Sequence, residues 1–192
     1  MNQDNIFKMI IVLTIICVIS AFALSNIYNI TKEPIAEQKR LEMIKAIKSV
    51  LPKSVKNDPV KDKIVIDNKN IFIGKDENGR FVGAAFKVVT KEGYSGTIEI
   101  MLGINGKDDS VNGIEILSMG ETPGLGAKIT QKWFKDQYKK RNLKNTNWKV
   151  KKDGGDIDQI SGATISPRAV TKAVYNGLKF YVKNKAKIVK NN

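Results

Sequence analysis

Histidine is absent from this chain of 192 residues, and the sequence contains a single cysteine, Cys17. Without histidine the protein cannot build a histidine-based metal site, a catalytic triad or an imidazole acid–base centre. Cys17 cannot form an internal disulfide bond, and it lies in an apolar run, where a thiol acts as filler rather than as a reactive group. Any redox chemistry of this chain therefore requires an external cofactor.

Acidic residues are also scarce: 19 stand against 33 basic residues, which gives a net charge of +14. Such an excess favours anionic partners, although it can also serve solubility alone. The basic residues are scattered, with no zinc-finger spacing, RNP-like strand or basic-region heptad, so we expect no nucleic-acid partner. The acidic pairs Asp108-Asp109 and Asp153 with Asp156 are typical of solvated loops, so no metal site is predicted.

One long apolar run lies near the N-terminus. Met9 to Leu24 carries no charge, and weakly polar flanks extend the run from Ile6 to Ile30, enough to cross a hydrocarbon core of about 30 Å. We interpret residues 1–30 as containing a transmembrane anchor. The alternatives are a cleaved signal peptide, which Ala21-Phe22-Ala23 would fit, and a buried helix of a soluble protein. The flanking positive charges do not decide the orientation.

The segment 31–62 is predicted to contain a linker helix. Apolar residues recur at helical spacing from Pro34 to Leu51, Pro34 suits the first turn of a helix, and Pro52 ends it.

Residues 63–192 are predicted to form a single α+β domain with a mainly antiparallel sheet and flanking helices. A short helix is expected around Ala127 to Lys139, and a final helix from Ser166 to Lys183, with Ser166 as N-cap and Pro167 at N1. The predicted strands are Ile64–Ile66, Ile71–Ile73, Phe81–Val89, Thr97–Ile104 and Val111–Leu117, separated by the turn signals Asp67-Asn68, Asn78-Gly79, Asn105-Gly106 and Asn112-Gly113.

A turn of small residues precedes the final predicted helix. Gly162 permits a positive φ or a close backbone approach, and Thr164 places a hydroxyl two residues before Ser166. The unpaired N–H groups of a first helical turn, together with the helix dipole, form an anion site. Taken alone, however, such a Ser/Thr-rich segment favours an ordinary helix cap.

The same segment matches a known signature. Asp158, Ser161, Gly162, Ala163 and Thr164 fit the D-x-x-[ST]-G-A-[ST] pattern at which flavin transferases attach FMN. The chain resembles the FMN-binding G subunit of the Rnf electron-transport complex and is similar to the C subunit of the sodium-translocating NADH:quinone reductase. In both families the last threonine of the motif carries FMN as a phosphoester, so the resemblance implies covalent FMN on Thr164.

Two further segments carry the resemblance. Gly120 to Gly126 resembles the E-T-P-G-L-G loop of these families, and Gly93 to Gly96 resembles their glycine-rich turn containing a tyrosine. Glycines in such a loop let the backbone approach a flat ring, on which Leu125 can pack. The predicted cofactor-binding residues are therefore Thr164, Ser161, Gly162, Ala163, Asp158, Glu121, Thr122, Gly124, Leu125, Gly126 and Tyr94.

The resemblance implies a covalent flavoprotein that passes electrons through FMN within a ferredoxin:NAD oxidoreductase complex coupled to ion transport, and that is not catalytic alone. It implies that the N-terminal tip is cytoplasmic, that one helix crosses the cytoplasmic membrane in contact with its lipid, and that the domain lies on the extracytoplasmic side. Expected partners are the other complex subunits and a flavin transferase. The alternatives are the quinone-reductase C subunit, a stand-alone flavin reductase and a non-redox, membrane-tethered basic binding module.

Overall fold

The computed structural model of the chain describes residues 3–190 and confirms the α+β class. Short 3₁₀ turns cover Gly126–Thr130 and Lys151–Asp153. The principal elements are α1 (Gln3–Val50), β1 (Lys63–Ile66), β2 (Lys69–Lys75), β3 (Phe81–Gly93), β4 (Gly96–Asn105), β5 (Val111–Ser118), α2 (Lys132–Asp136) and α3 (Ile165–Lys190).

The chain divides into two compact units, one ending at Glu42 and the other beginning at Met43. The described part of the first unit, residues 3–42, is helical, and its apolar side chains, such as Leu13 and Phe22, are exposed. It contains a helix long and apolar enough to cross a membrane.

The predicted helix start at Pro34 is wrong, because α1 passes through Pro34 without ending. A proline inside a helix removes one hydrogen bond, here the bond to the carbonyl of Ile30 four residues earlier. Good helix formers from Ala36 onwards continue the helix beyond the proline.

The five strands form one antiparallel sheet in the order β1-β2-β3-β4-β5. Asp67 and Asn68 both have positive φ, 48° and 59°, as the tight turn between β1 and β2 requires. The turn predicted at Asn112-Gly113 is wrong, because both residues lie inside β5, where Gly113 pairs with Gly103 of β4.

The end of α1 covers one face of the sheet and explains the glycine at position 103. A Cβ atom on Gly103 would lie 2.1 Å from the carbonyl oxygen of Val50, so only glycine allows this approach. The side-chain amide of Asn112 donates a hydrogen bond of 2.8 Å to the same carbonyl. Asn112 therefore satisfies a carbonyl at the helix end that has no partner within the helix. Ala46, Ile47 and Val50 are buried against this face.

Helix α3 covers the opposite face of the sheet. The predicted apolar stripe of this helix, Val170, Val174, Leu178 and Tyr181, is buried as expected. Strand residues at alternate positions, such as Phe86 and Leu102, meet it in the main core. The first residues of α3 thereby acquire a fixed place beside the loops that follow the sheet.

Candidate flavin site

The start of α3 differs by two residues from the prediction. The N–H of Arg168 donates a hydrogen bond of 3.2 Å to the carbonyl of Thr164, which makes Thr164 the N-cap. Ser166 is therefore the second helical residue and Pro167 the third, so their predicted places as N-cap and N1 are wrong. Pro167 is tolerated because the third N–H of a helix has no partner within the helix to lose.

Gly162 forms the turn that presents Thr164. The N–H of Ala163 donates a hydrogen bond of 3.0 Å to the carbonyl of Ile160, and Gly162 between them has φ of 75°. A positive φ at the third turn position is the feature that demands glycine. A Cβ atom on Gly162 would meet only Leu125, at 3.6 Å, so conformation rather than space explains this residue.

Three distant segments meet around a cleft of about 400 Å³ beside this turn. The volume is within the usual range for sites of small ligands and cofactors. The cleft combines the Gly93–Gly96 turn, the loop from Gly120 to Gly126 and the start of α3. Its lining residues are Tyr94, Glu121, Thr122, Leu125, Gly126, Gly162, Ala163, Thr164, Ile165 and Ser166.

Three of the predicted contacts do not line the cleft. Asp158 is exposed and its carboxylate pairs with Lys151 at 2.7 Å. Ser161 is also exposed. Gly124 has φ of 76° and is not among the residues that line the cleft.

Large apolar side chains stand exposed around the cleft. Tyr94 is 71% exposed, and Leu125 and Ile165 are each 45% exposed. An exposed apolar cluster at a cavity is typical of a surface that a ligand or partner covers. The sequence had not indicated Ile165, because the helix start was placed after it.

A buried carboxylate connects the segments of the cleft. The hydroxyl of Ser166 donates a hydrogen bond of 2.6 Å to Glu121 Oε2, and the backbone N–H of Ser95 donates one of 3.2 Å to Glu121 Oε1. Glu121 is 5% exposed and Ser166 1%. Sequence reasoning treated Ser166 only as a cap, and no local spacing could reveal a contact across 45 positions.

The comparisons with known proteins agree with this geometry. Residues 93–179 match the FMN-binding domain family, a span that contains every residue lining the cleft. The chain is 39% identical over 178 residues to the G subunit of the ion-translocating oxidoreductase complex of Aliivibrio fischeri, covering 85% of this chain and 84% of that protein. The chain belongs to this family of G subunits. The corresponding protein of Shewanella amazonensis is 34% identical over 199 residues, with 96% of this chain and 92% of that protein covered.

A solved structure shows the same fold. NqrC from Shewanella oneidensis superposes with a TM-score of 0.51 at 20% identity, covering 73% of this chain and 74% of that one. At this identity the likeness concerns the fold alone. Membership of the G-subunit family therefore comes from sequence identity, and the FMN-binding domain comes from the match to residues 93–179.

Replacing Leu125 is expected to change the environment of a flavin bound to this G-subunit chain. In Leu125→Asp, a carboxylate would stand where an apolar side chain lines the cleft. A nearby negative charge disfavours adding electrons to a ring, so we expect a lower flavin midpoint potential, by on the order of tens of millivolts. Spectroelectrochemistry measures it. Leu125→Asn is the control for lost packing, and equal midpoints in both variants would place Leu125 away from the ring.

An ion pair holds the first turns of α3 to the loop before it. Arg168 donates hydrogen bonds of 2.6 and 2.5 Å to the two carboxylate oxygens of Asp153. The Arg168 guanidinium lowers the pKa of Asp153 below its usual value. A carboxyl whose pKa falls on folding stabilises the fold fully above its unfolded pKa of about 3.9, and this contribution is lost as the pH drops through the folded pKa.

The stability difference between the parent and Asp153→Asn is therefore expected to be larger at pH 7 than at pH 3. The effect should be small, because both side chains are partly exposed. Urea unfolding midpoints at the two pH values measure it. Asp67→Asn is the control, since Asp67 has no ion-pair partner within residues 3–190. A difference that grows towards low pH would contradict this assignment.

Proposed function

We propose that this chain is a membrane-anchored electron-transfer subunit that carries FMN covalently through its phosphate on Thr164. One observation supports the proposal most strongly. The fold brings the turn containing Tyr94, the loop containing Leu125 and the turn containing Thr164 into a single cleft, although they are far apart in the sequence. The match of residues 93–179 to the FMN-binding domain family names the ligand class.

Thr164 fits the phosphate end of the cofactor. Thr164 lines the cleft, and its hydroxyl makes no hydrogen bond with other residues in the described part of the chain. As the N-cap of α3, Thr164 places an attached phosphate beside the N–H groups of the first helical turn and the positive end of the helix dipole. This turn itself contains no acidic residue, and the Glu121 carboxylate beside it is engaged by the Ser166 hydroxyl.

The exposed apolar side chains around the cleft fit the flavin ring of the cofactor. Leu125 and Tyr94 offer apolar surface for a flat ring, and Thr122 adds a polar residue to the lining of the cleft. When bound, FMN supplies the redox chemistry. The residues of this chain bind and orient the ring, and they shield part of it from water.

Attachment requires a partner enzyme. A bond forms between Thr164 Oγ and the flavin phosphorus, so the flavin must arrive as an activated pyrophosphate, whose P–O bond breaks and whose nucleotide leaves with the electron pair. The threonine proton passes to a base of a flavin transferase. Asp158 and Ser161, exposed and outside the cleft, suit recognition by that enzyme better than contact with the ring.

The relatives named as subunits of an ion-translocating oxidoreductase complex support an assembly role for this chain. We propose that it exchanges electrons with neighbouring subunits and does not complete a reaction alone. The FMN-binding domain argues against a non-redox basic module, and identities of 34–39% favour the G subunit of that complex over the quinone-reductase C subunit.

Flavin fluorescence tests the central step. The full chain is produced with and without a flavin transferase, denatured and separated by electrophoresis. We expect a fluorescent band at the mass of the chain only with the transferase, because only a covalent bond survives denaturation. A chain that loses all flavin on denaturation would contradict covalent attachment.

The orientation is tested separately. We propose that the segment from Ile6 to Ile30 spans the cytoplasmic membrane once, among its lipids, with the N-terminal tip inside and the domain outside. Protease added to intact spheroplasts should then digest the domain. Protection until lysis would reverse the orientation, and a mature chain beginning near Leu24 would indicate a cleaved signal peptide.

A further inference from the structure

We infer that Glu121 is a positioning residue, whose buried carboxylate holds the three cleft segments in the arrangement needed for flavin attachment and ring binding. This inference rests on the proposed function above. It assigns Glu121 the role of holding segments of the protein in place. It does not concern which residue carries the flavin.

The carboxylate joins the segments directly. Oε2 accepts a hydrogen bond from the Ser166 hydroxyl in the first turn of α3, and Oε1 accepts one from the Ser95 backbone N–H. Glu121 itself belongs to the loop between them. Hydrogen bonds to a charged acceptor in a buried place are among the stronger ones in proteins. Glu121 therefore fixes the separation of all three segments.

The neighbouring glycines make room for this carboxylate. A Cβ atom on Gly126 would lie 2.5 Å from Glu121 Oε2 and 2.6 Å from Ser166 Oγ. A Cβ atom on Gly93 would lie 2.6 Å from Glu121 Oε1 and 2.5 Å from the Gly96 carbonyl oxygen. Two glycines from two different segments thus close around one side chain, as a close-packed junction requires.

Each residue of the hydrogen-bonded junction lies within two positions of another residue that lines the cleft. Ser166 lies two residues after Thr164, Ser95 follows Tyr94, and Glu121 precedes Thr122. A reacting group is effective only when its supporting residues hold it in place. A displacement of about 1 Å can slow a reaction by up to about a hundredfold. Breaking the two hydrogen bonds that Glu121 accepts should therefore misplace both the Thr164 hydroxyl and the residues that contact the ring.

Two substitutions separate geometry from charge. Glu121→Ala removes both hydrogen bonds. Glu121→Gln keeps one acceptor for the Ser95 N–H and offers an amide that can donate to Ser166 Oγ, so it preserves the junction without the charge. Detergent-solubilised full chains made without transferase are then labelled in vitro by a flavin transferase, and the labelling rate and flavin absorption spectrum are measured.

Glu121→Ala should label between about tenfold and a hundredfold more slowly than the parent, with a shifted absorption spectrum. Glu121→Gln should label within about threefold of the parent. The control is Tyr138→Phe, which removes a buried hydrogen bond of 2.8 Å to Thr171 Oγ1 outside the cleft. This control should lose stability yet label at the parental rate.

Three results would overturn the inference: parental rate and spectrum in Glu121→Ala, equally slow labelling of Glu121→Gln and Glu121→Ala, or equally slow labelling of Tyr138→Phe. The last would mean that any loss of stability slows attachment. Failure of the proposed function would look different, because the parent chain itself would then acquire no covalent flavin.

Discussion

Thr164→Ala is expected to fold and to carry no covalent flavin. The phosphoester needs an oxygen on the side chain, and alanine offers none. Because the Thr164 hydroxyl makes no hydrogen bond with the described residues, its removal should destabilise the fold by no more than about 1 kcal/mol, the usual effect of losing an N-cap side chain. In-gel fluorescence after co-expression with a flavin transferase measures attachment, and thermal unfolding checks the fold.

Thr164→Ser is the matched control for that experiment. Serine retains the hydroxyl at the same place on the turn and loses only a methyl group, so some covalent flavin should remain. A fluorescent Thr164→Ala chain would show that another residue carries the flavin. A dark Thr164→Ser chain beside a fluorescent parent would show that the methyl group matters to the transferase.

Gly103→Ala is expected to destabilise the domain by about 3 kcal/mol, because overpacking a filled core typically costs 1–3 kcal/mol and sometimes more. The added methyl group would lie close to three atoms of Val50: 2.1 Å from the carbonyl oxygen, 2.6 Å from the carbonyl carbon and 2.7 Å from Cβ. Backbone atoms cannot swing aside as a side-chain end can. The end of α1 would have to leave the sheet and weaken the Asn112 hydrogen bond.

Gly113→Ala is the control, because Gly113 pairs directly with Gly103 across β4 and β5. A Cβ atom on Gly113 would meet its nearest neighbour, Val50 Cα, at 3.4 Å, within ordinary van der Waals contact. We expect a change of less than about 1 kcal/mol there. Urea unfolding of both variants measures the contrast, and equal losses would contradict the close approach of α1 at Gly103.

The sheet and the core face of α3 were predictable because their signals are local. Runs rich in β-branched and aromatic residues mark the strands, and the apolar residues of α3 recur at helical spacing. Asp67-Asn68 marked its turn because these two residues tolerate a positive φ.

Two errors in the fold share a physical cause, because contacts that are distant in sequence decide the outcome there, whereas the error at Pro34 is local. Asn112-Gly113 looks like a turn locally, yet both residues serve the docking of Val50, which lies 62 positions from Asn112. Ser166 looks like a helix cap, yet its hydroxyl is engaged by Glu121. Pro34 looks like a helix start, although α1 continues on both sides of it.

The candidate site was predictable in outline from its motifs. The structure gathers Tyr94, Thr122, Leu125 and Thr164 in one cleft, which spacing in the sequence could not show. Asp158 and Ser161 belong to the same motif as Thr164 and lie outside the cleft. Under the proposed function, this motif combines a residue that lines the cleft with residues that the modifying enzyme would recognise, and only the fold separates the two groups.

Peptide mass analysis of the flavin-bearing parent chain tests the central claim most directly. The chain is co-expressed with a flavin transferase, digested, and its fluorescent peptide is fragmented. Cleavage after Lys152 and Arg168 would release a peptide that contains Thr164, Ser161 and Ser166, so fragmentation must distinguish these hydroxyls. We expect the mass of one FMN phosphoester on Thr164. The mass on Ser161, Ser166 or any other residue, or an unmodified peptide in a fluorescent chain, would contradict covalent attachment at Thr164.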